Sequence, residues 1–402
     1  MKICDATQFY SEVGGGVRRY LQEKRRYVRE HTDDEHMLLI PGERTEVVRE
    51  GRLTTCTVAS RRINRTSRYR ILFNLSQAAE FIHQEKPDLI ESGDPYQLGW
   101  RMIDAAHGGN IPVLGFYHSH FPEAYLRTAF KYCGSWVREV GLAYAQDYIV
   151  RLYNEFDATL VPSEHLARLL HTWGVNNTRA VRLGVDTDIF QPGPRDPAVR
   201  ARLDIPEDRI LLLYVGRLAG EKNTPLLMEA FARLEQSHPG RFAYLVIGDG
   251  AQRPKVVELQ ARVPLLRWMS YCNDSRELAD YYRAADIFVH PGVCETFGLV
   301  TLESQACGCP VVGIRGTYMD ALIACGLEDW SPENTPGALA GAIQRFSLTG
   351  LRDRGMAAST AIRGRYSWKT IFDDVWSVYR QAVERNLERR RHGALHEDFH
   401  IP

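Results

Sequence analysis

Residues 210–231, ILLLYVGRLAGEKNTPLLMEAF, read as one unit of a parallel sheet. The apolar run Ile210–Val215 has the length of a buried strand. Gly216 lets the backbone turn sharply off that strand, and a helical pattern follows from Pro225 to Gln236. Between strand and helix stand Arg217 and Lys222, two cations beside a helix N-terminus. Fixed positive charge, backbone N–H groups and a favourable helix dipole together suit a diphosphate.

The same rhythm extends in both directions. Downstream, Tyr244–Ile247, Leu265–Trp268, Ile287–His290 and Val311–Ile314 read as strands, with helices at Ser275–Ala285 and Val300–Cys307. Upstream, strands are expected at Met1–Thr7, Met37–Pro41, Asp88–Ser92, Val113–His118 and Thr159–Pro162, with helices at Val17–Glu30, Ile71–Gln84 and Glu164–Trp173. Such alternation predicts an α/β fold whose parallel sheets are covered on both faces.

A chain of 402 residues is too long for one ordinary core. The rhythm breaks at QPGPRDPAV, Gln191 to Val199, so the boundary is placed there. The expected domains are residues 1–190 and 191–367, followed by a terminal helix at 368–388 and a loose tail at 389–402. Two doubly wound domains in tandem would leave an inter-domain cleft, and the chemistry is expected in loops that follow strands.

Composition narrows the class. A hydrophobic fraction of 44% with 25% charged residues is that of a globular chain, and a formal net charge of zero gives no field that would attract nucleic acid. No apolar run reaches the length needed to span a bilayer, and MKICDATQFY lacks the features of a secretory signal, so a cytoplasmic protein is expected. The eight cysteines contain no CxxC pair and are expected to be reduced. Arg18, Arg19, Lys24, Arg25, Arg26 and Arg29 crowd one helix, and Arg61, Arg62, Arg65, Arg68 and Arg70 crowd a nearby segment. They read either as a solvated face or as a patch facing a charged acceptor or anionic lipid, the latter as peripheral contact on the inner face of a membrane.

Three further stretches carry chemistry. In CETFGLVTLE, Cys294 to Glu303, Glu295 can accept hydrogen bonds from hydroxyls, while Phe297, Gly298 and Leu299 offer backbone N–H groups as a helix begins. Glu303 lies one turn into that helix; the bland alternative is a capped helix with solvated acids. Gly14, Gly15 and Gly16 follow the first strand and permit close backbone approach to a phosphate or sugar, but lack the GxGxxG spacing of a nicotinamide site. In FYHSH, His118 stands at a strand's carboxyl end, where its ring or carbonyl could meet a reacting sugar. The His118/His120 pair lacks a third metal ligand, so no metal is expected.

Taken together, these motifs resemble the retaining glycosyltransferases of family 4, which have the GT-B fold of two facing Rossmann-like domains. GRLAGEK is similar to the family's GRL-x-x-EK, and ETFGLVTLESQACGCPVV to its E-x-FG-x-x-x-x-E-A-x-A-x-G-x-PVV, with Ser304 in place of alanine. VIGDG is similar to a G-x-GP turn with Ala251 where proline is common. LGVDTDIFQP is similar to NGVD-x-x-x-F-x-P with Leu183 for asparagine, and YSWKTIFDDVWSVY resembles the helix that crosses back to the N-terminal domain. The resemblance covers nearly the whole chain, and its N-terminal half is similar to bacterial mannosyl- and glucosyltransferases acting on lipid-linked acceptors.

The resemblance implies that Gly216, Arg217 and Lys222 bind the donor diphosphate, that Glu303 meets the ribose, and that Glu295 meets the donor sugar with Phe297, Gly298 and Leu299. It places Gly15 and Gly16 near phosphate and acceptor, and His118 beside the anomeric centre. The base pocket falls to loops after Val215, Ile247 and Trp268, with Tyr271 and Cys272 as candidates. The implied activity moves a hexose from GDP-mannose or a UDP-hexose to an acceptor hydroxyl, with retention and without a cofactor or metal. Asp186-Thr187-Asp188 matches the DxD pattern of another glycosyltransferase architecture but sits at the domain junction, and is read as a structural turn. Two alternatives stand beside it: a nucleotide-sugar epimerase on the same fold, which should not carry both donor motifs, and a nicotinamide-dependent Rossmann oxidoreductase, disfavoured by both glycine turns.

Overall fold

The computed structural model describes residues 1–8, 10, 16–62, 70–118, 135–293, 297–317 and 319–397. Two compact units divide the chain: residues 1–182 with 369–402, and residues 183–368. The junction expected at 190/191 thus falls inside the second unit.

The first unit is built on an eight-stranded sheet. Its strands are β1 (Lys2–Ala6), β2 (Glu35–Gly42), β3 (Glu46–Glu50), β4 (Leu53–Ala59), β7 (Leu89–Ser92), β8 (Val113–Phe116), β9 (Ala158–Val161) and β10 (Thr178–Ala180). They lie in the order β10-β9-β8-β7-β1-β2-β4-β3, parallel throughout except for β3, which pairs antiparallel with β4. A separate hairpin joins β5 (Arg61–Arg62) to β6 (Arg70–Ile71). The helices are α1 (Gly16–His31), α2 (Leu75–Glu85), α3 (Gln97–Gly109), α4 (Ser135–Asn154) and α5 (Glu164–Trp173). Cys4, Met37, Ile90, Val113 and Val161, one from each of five strands, enter the core with Phe81, Met102 and Leu152 of the helices.

In the second unit, five strands lie all parallel in the order β13-β12-β11-β14-β15. They are β11 (Ile210–Val215), β12 (Phe242–Ile247), β13 (Leu266–Met269), β14 (Ile287–His290) and β15 (Val311–Gly313). Around them run α6 (Pro197–Arg202), α7 (Thr224–Ser237), α8 (Arg253–Gln260), α9 (Ser275–Ala284), α10 (Leu299–Ala306), α11 (Pro336–Phe346) and α12 (Leu351–Arg365). The chain then returns to the first unit in α13 (Trp368–Glu397).

Each sheet therefore has one interior strand at which the winding direction reverses. In the first unit β1 lies between β2 and β7; in the second, β11 lies between β12 and β14. Loops leaving the two strands on either side of such a point diverge and open a crevice, where ligands of doubly wound sheets bind.

Several expectations change. The strand ending at His118 stops at Phe116, leaving His118 in the loop. The helix expected from Ile71 starts at Leu75, because Asn74 caps it by accepting a hydrogen bond from the Gln77 N–H at 3.2 Å while Ile71 pairs in β6. The expected loose tail is helical through Glu397. Residues 388–397 are mostly good helix formers, and Arg389 pairs with Asp157 at 2.5 Å, so the helix has no reason to stop at 388. Lys24 is not part of a surface patch: it is wholly buried. Arg25 reaches the Thr54 carbonyl and Arg26 pairs with Glu30, so the basic row of α1 is largely spent within the unit.

Candidate functional site

In the second unit the loops after β11 and β14 flank the point of reversal, and these two loops carry GRLAGEK and the stretch ending in Phe297–Glu303. Hydrogen bonds continue past the strand ends. Gly216 N–H donates to the Ile247 carbonyl at 3.0 Å, Leu218 N–H to Asp249 at 2.9 Å, and Gln252 N–H to Leu218 at 2.9 Å. The GRL loop is thereby zipped to the VIGDG turn. Glycine is required there: a Cβ on Gly248 (φ +147°) would stand 1.9 Å from the Gly216 carbonyl oxygen, and one on Gly250 (φ +154°) 2.4 Å from that of Leu218.

Asn223 ties the first loop to the other side of the crevice. Its backbone is left-handed (φ 57°), and its Nδ2 donates to the Pro291 carbonyl at 2.9 Å and to Asn334 Oδ1 at 2.8 Å. Lys222 closes a short 3-10 turn, Gly220–Lys222, just before α7. Arg217 is half-exposed, and its guanidinium pairs with Glu221 at 2.9 Å. The cation that the sequence marks for a diphosphate is thus paired with a carboxylate four residues on.

Across the crevice, Phe297 is buried and Gly298 adopts φ +74°, with Met319 Cε 2.4 Å from where a Cβ would lie. That left-handed turn launches α10 from Leu299, leaving the first N–H groups of the helix at the loop. Glu303 is 2% exposed and accepts a hydrogen bond from the Tyr282 hydroxyl at 3.2 Å. The reading of Glu303 as a solvated acid on a capped helix is therefore wrong. Glu295 lies outside the described residues, as do Gly15, Gly14 and His120.

Beyond β13, Tyr271 is exposed, while the Cys272 thiol sits near the Asp274 carbonyl and is pushed up to about 11 by burial and by Glu277. The sequence reading missed Trp268. Its Nε1 donates to the Gly248 carbonyl at 2.9 Å, and Arg253 stacks over its ring at 4.4 Å. A tryptophan at the end of a short strand was the available signal.

In the first unit, Gly16 opens α1 and is exposed. The His118 ring stacks on Phe116 at 3.9 Å and stands edge-on to Tyr20 at 5.3 Å. A Cβ on Gly93 would come within 3.0 Å of it, so that glycine makes room for the imidazole. Burial, and then Lys24, lower His118 to about 3, so the ring is neutral.

Asp94 was also missed. It follows β7, is 1% exposed, and its Oδ2 accepts from the Gln8 N–H after β1 at 2.5 Å, bridging the reversal point of this sheet. Its Oδ1 has no hydrogen-bond partner among the described residues. The stretch ESGDPY, with an acid directly after a strand and a glycine, was the available signal. Asp186, by contrast, spends Oδ1 on the N–H groups of Asp188 (3.0 Å) and Ile189 (3.3 Å), a turn built around its own carboxylate.

The comparisons agree with this geometry. Residues 14–189 match the family described as Glycosyltransferase Family 4, and residues 196–358 match Glycosyl transferases group 1. The D-inositol 3-phosphate glycosyltransferase of Kineococcus radiotolerans is 29% identical over 73% of this chain and 71% of its own length. The chain spans about half the length of several other curated relatives of that name. Among solved structures, sucrose-phosphate synthase from Thermosynechococcus elongatus superposes with a TM-score of 0.75 at 22% identity, over 94% of this chain and 98% of that one. Anabaena HepE in complex with UDP and glucose gives 0.72 at 17% identity, over 95% and 100%. With both halves matched by family models and the two parallel sheets matched by GT-B structures, the chain belongs to the family 4, group 1 glycosyltransferases and is a glycosyltransferase of GT-B fold.

Proposed function

We propose that this enzyme is a retaining, metal-independent hexosyltransferase that uses a nucleotide-diphosphate sugar, with a UDP-hexose favoured over GDP-mannose. The observation that carries the reading is the crevice in the second unit. Arg217 and Lys222 leave β11 on one side, the Gly298–Leu299 turn and the buried Glu303 follow β14 on the other, and Asn223 ties the two together. Cations and backbone N–H groups suit the diphosphate, and a buried carboxylate suits ribose hydroxyls. The preference for UDP rests on HepE, whose structure holds UDP and glucose.

In this reading the acceptor hydroxyl attacks from the face that the diphosphate leaves, and a leaving phosphate oxygen takes its proton. Arg217, released from Glu221 by the donor, and Lys222 neutralise the charge that grows on the leaving group, the part a divalent cation plays elsewhere. The neutral His118 offers a hydrogen bond to the sugar. The acceptor is a polyol or a lipid-linked hydroxyl. Trp136, Val140 and Tyr144, at i, i+4 and i+8 of α4, are all exposed, an apolar stripe that favours contact with a lipid surface. No helix among the described residues is long and apolar enough to cross a membrane.

Product analysis by NMR tests the reaction: an α-linked donor should give an α-linked product, and a β-linkage would overturn retention. Liposome flotation with anionic lipid tests surface contact; no binding at low salt would count against it.

A further inference from the structure

Beneath His118 the first unit hides a closed group of ionisable side chains that no motif announces. Lys24, from α1, has no solvent exposure. Its ammonium donates to Asp5 Oδ1 on β1 at 2.8 Å, to Glu91 Oε1 on β7 at 2.9 Å and to the Tyr379 hydroxyl on α13 at 2.8 Å. An ammonium has three N–H donors, and all three are used. Tyr379 in turn donates to Glu91 Oε2, which also accepts from the Tyr20 hydroxyl at 3.4 Å. His36 closes the far side with a 2.5 Å contact to Asp5 Oδ2. Three strands of the sheet and its first helix thus meet one residue of the C-terminal helix, far away in sequence.

The group touches His118 through Tyr20. The Tyr20 ring packs on Phe116 at 4.9 Å and stands edge-on to His118 at 5.3 Å, while Phe116 stacks under His118. The Tyr20 hydroxyl donates into the ion group, to Glu91 Oε2. Where Glu91 points therefore decides where Tyr20 sits, and Tyr20 forms one wall of the imidazole's socket.

We propose that Tyr379 is a positioning residue for His118: its hydroxyl completes the Lys24–Glu91 group, which fixes Tyr20 and, through it, the imidazole. The C-terminal helix is then a working part of the first unit's site as well as a cover for its sheet. This inference rests on the reading that His118 meets the donor sugar. Removing the hydroxyl would leave one N–H of a buried ammonium unsatisfied and take from Glu91 Oε2 its closest donor. With Lys24 still on Oε1, the carboxylate would turn Oε2 toward the Tyr20 hydroxyl, and the wall of the socket would shift.

Tyr379→Phe keeps the ring and removes only the hydroxyl. With UDP-glucose and GDP-mannose as donor probes, kcat should fall about 10-fold, as small misplacements of a reacting group do, with donor KM unchanged. A purely structural role would lower the melting temperature and leave kcat untouched below it, and that result would overturn the proposal. The second readout needs no turnover. The His118 ring contacts both Phe116 and Tyr20, so its Cε1–H resonance, assigned by its loss in His118→Gln, reports their positions. It should move in Tyr379→Phe and in Tyr20→Phe; an unmoved resonance in both would overturn the positioning role. If neither donor is turned over by the wild type, the functional reading fails, while the resonance still decides the positioning. If Tyr379→Phe does not fold, Tyr20→Phe, which removes the hydroxyl that donates to Glu91 at 3.4 Å, carries both readouts.

Discussion

The side chain of Asn223 spans the crevice of the second unit, donating one hydrogen bond to the Pro291 carbonyl at 2.9 Å. It links the loop that carries Arg217 and Lys222 to the loop that leads into Gly298 and Glu303. Because Asn223 is left-handed at φ 57°, alanine there would add backbone strain to the loss of the side chain. Asn223→Gly separates the two. Glycine keeps the backbone and drops the tie, so donor KM should rise about 10-fold with stability lowered by about 1 kcal/mol. Steady-state kinetics with unchanged donor KM would show that the tie is unrelated to donor binding.

Gly248 tests whether the zipper between GRL and VIGDG matters. A methyl group there meets the Gly216 carbonyl carbon and oxygen at 2.9 and 1.9 Å, neither of which can rotate away. Gly248→Ala should cost at least about 2 kcal/mol and shift the Gly216–Arg217 backbone. Denaturant unfolding measures the first effect and donor KM the second.

Lys24 should behave as a buried cation between carboxylates. Burial alone would raise the Asp5 carboxyl, but Lys24 and His36 outweigh it and hold Asp5 well below the usual carboxylate range. Lys24→Met removes the compensating charge and should destabilise the protein by about 3–5 kcal/mol. A surface lysine would cost almost nothing in the same chemical denaturation experiment.

Asp94 gives a pH dependence of known sign. Burial pushes its carboxyl up to about 7, against the hydrogen bonds from Gln8 and Thr7 that favour the charged form. Between roughly pH 4 and 7 the folded chain holds a proton there that the unfolded chain has released. Stability from this group is complete below roughly pH 4 and is lost as pH rises to about 7, at up to about 1.4 kcal/mol per pH unit. Burial pushes the Glu91 carboxyl up as well, against the pull of Lys24. Asp94→Asn removes the titration, so its unfolding free energy measured from pH 5 to 7.5 should fall less steeply than that of the wild type.

What could be read from the chain follows from how each feature is encoded. Strands β11 and β14 were placed to the residue, because a strand buried on both faces is a continuous apolar run such as Ile210–Val215. Strand β3 was not: Glu46–Glu50 is wholly exposed, and its sequence, EVVRE, has no buried face to advertise. Lys24 was read with its arginine neighbours as surface charge. Its burial is set by Asp5 and Glu91, 19 and 67 residues away, and nothing local distinguishes it from Arg25. The start of α10 just after Gly298 was legible because a motif fixes it. Trp268 and Asp94 were not, since each acquires its meaning only when a neighbouring strand brings Gly248 or Gln8 alongside.

The central claim is that Arg217 and Lys222 hold the donor diphosphate in the crevice between the loops after β11 and β14. Turnover of UDP-glucose and GDP-mannose by the wild type, Arg217→Ala and Lys222→Ala tests it most directly. Each substitution should lower kcat by about 100-fold, the loss expected when a group that stabilises leaving-group charge is removed. Near-full activity in either variant, on a donor that the wild type turns over, would contradict the assignment.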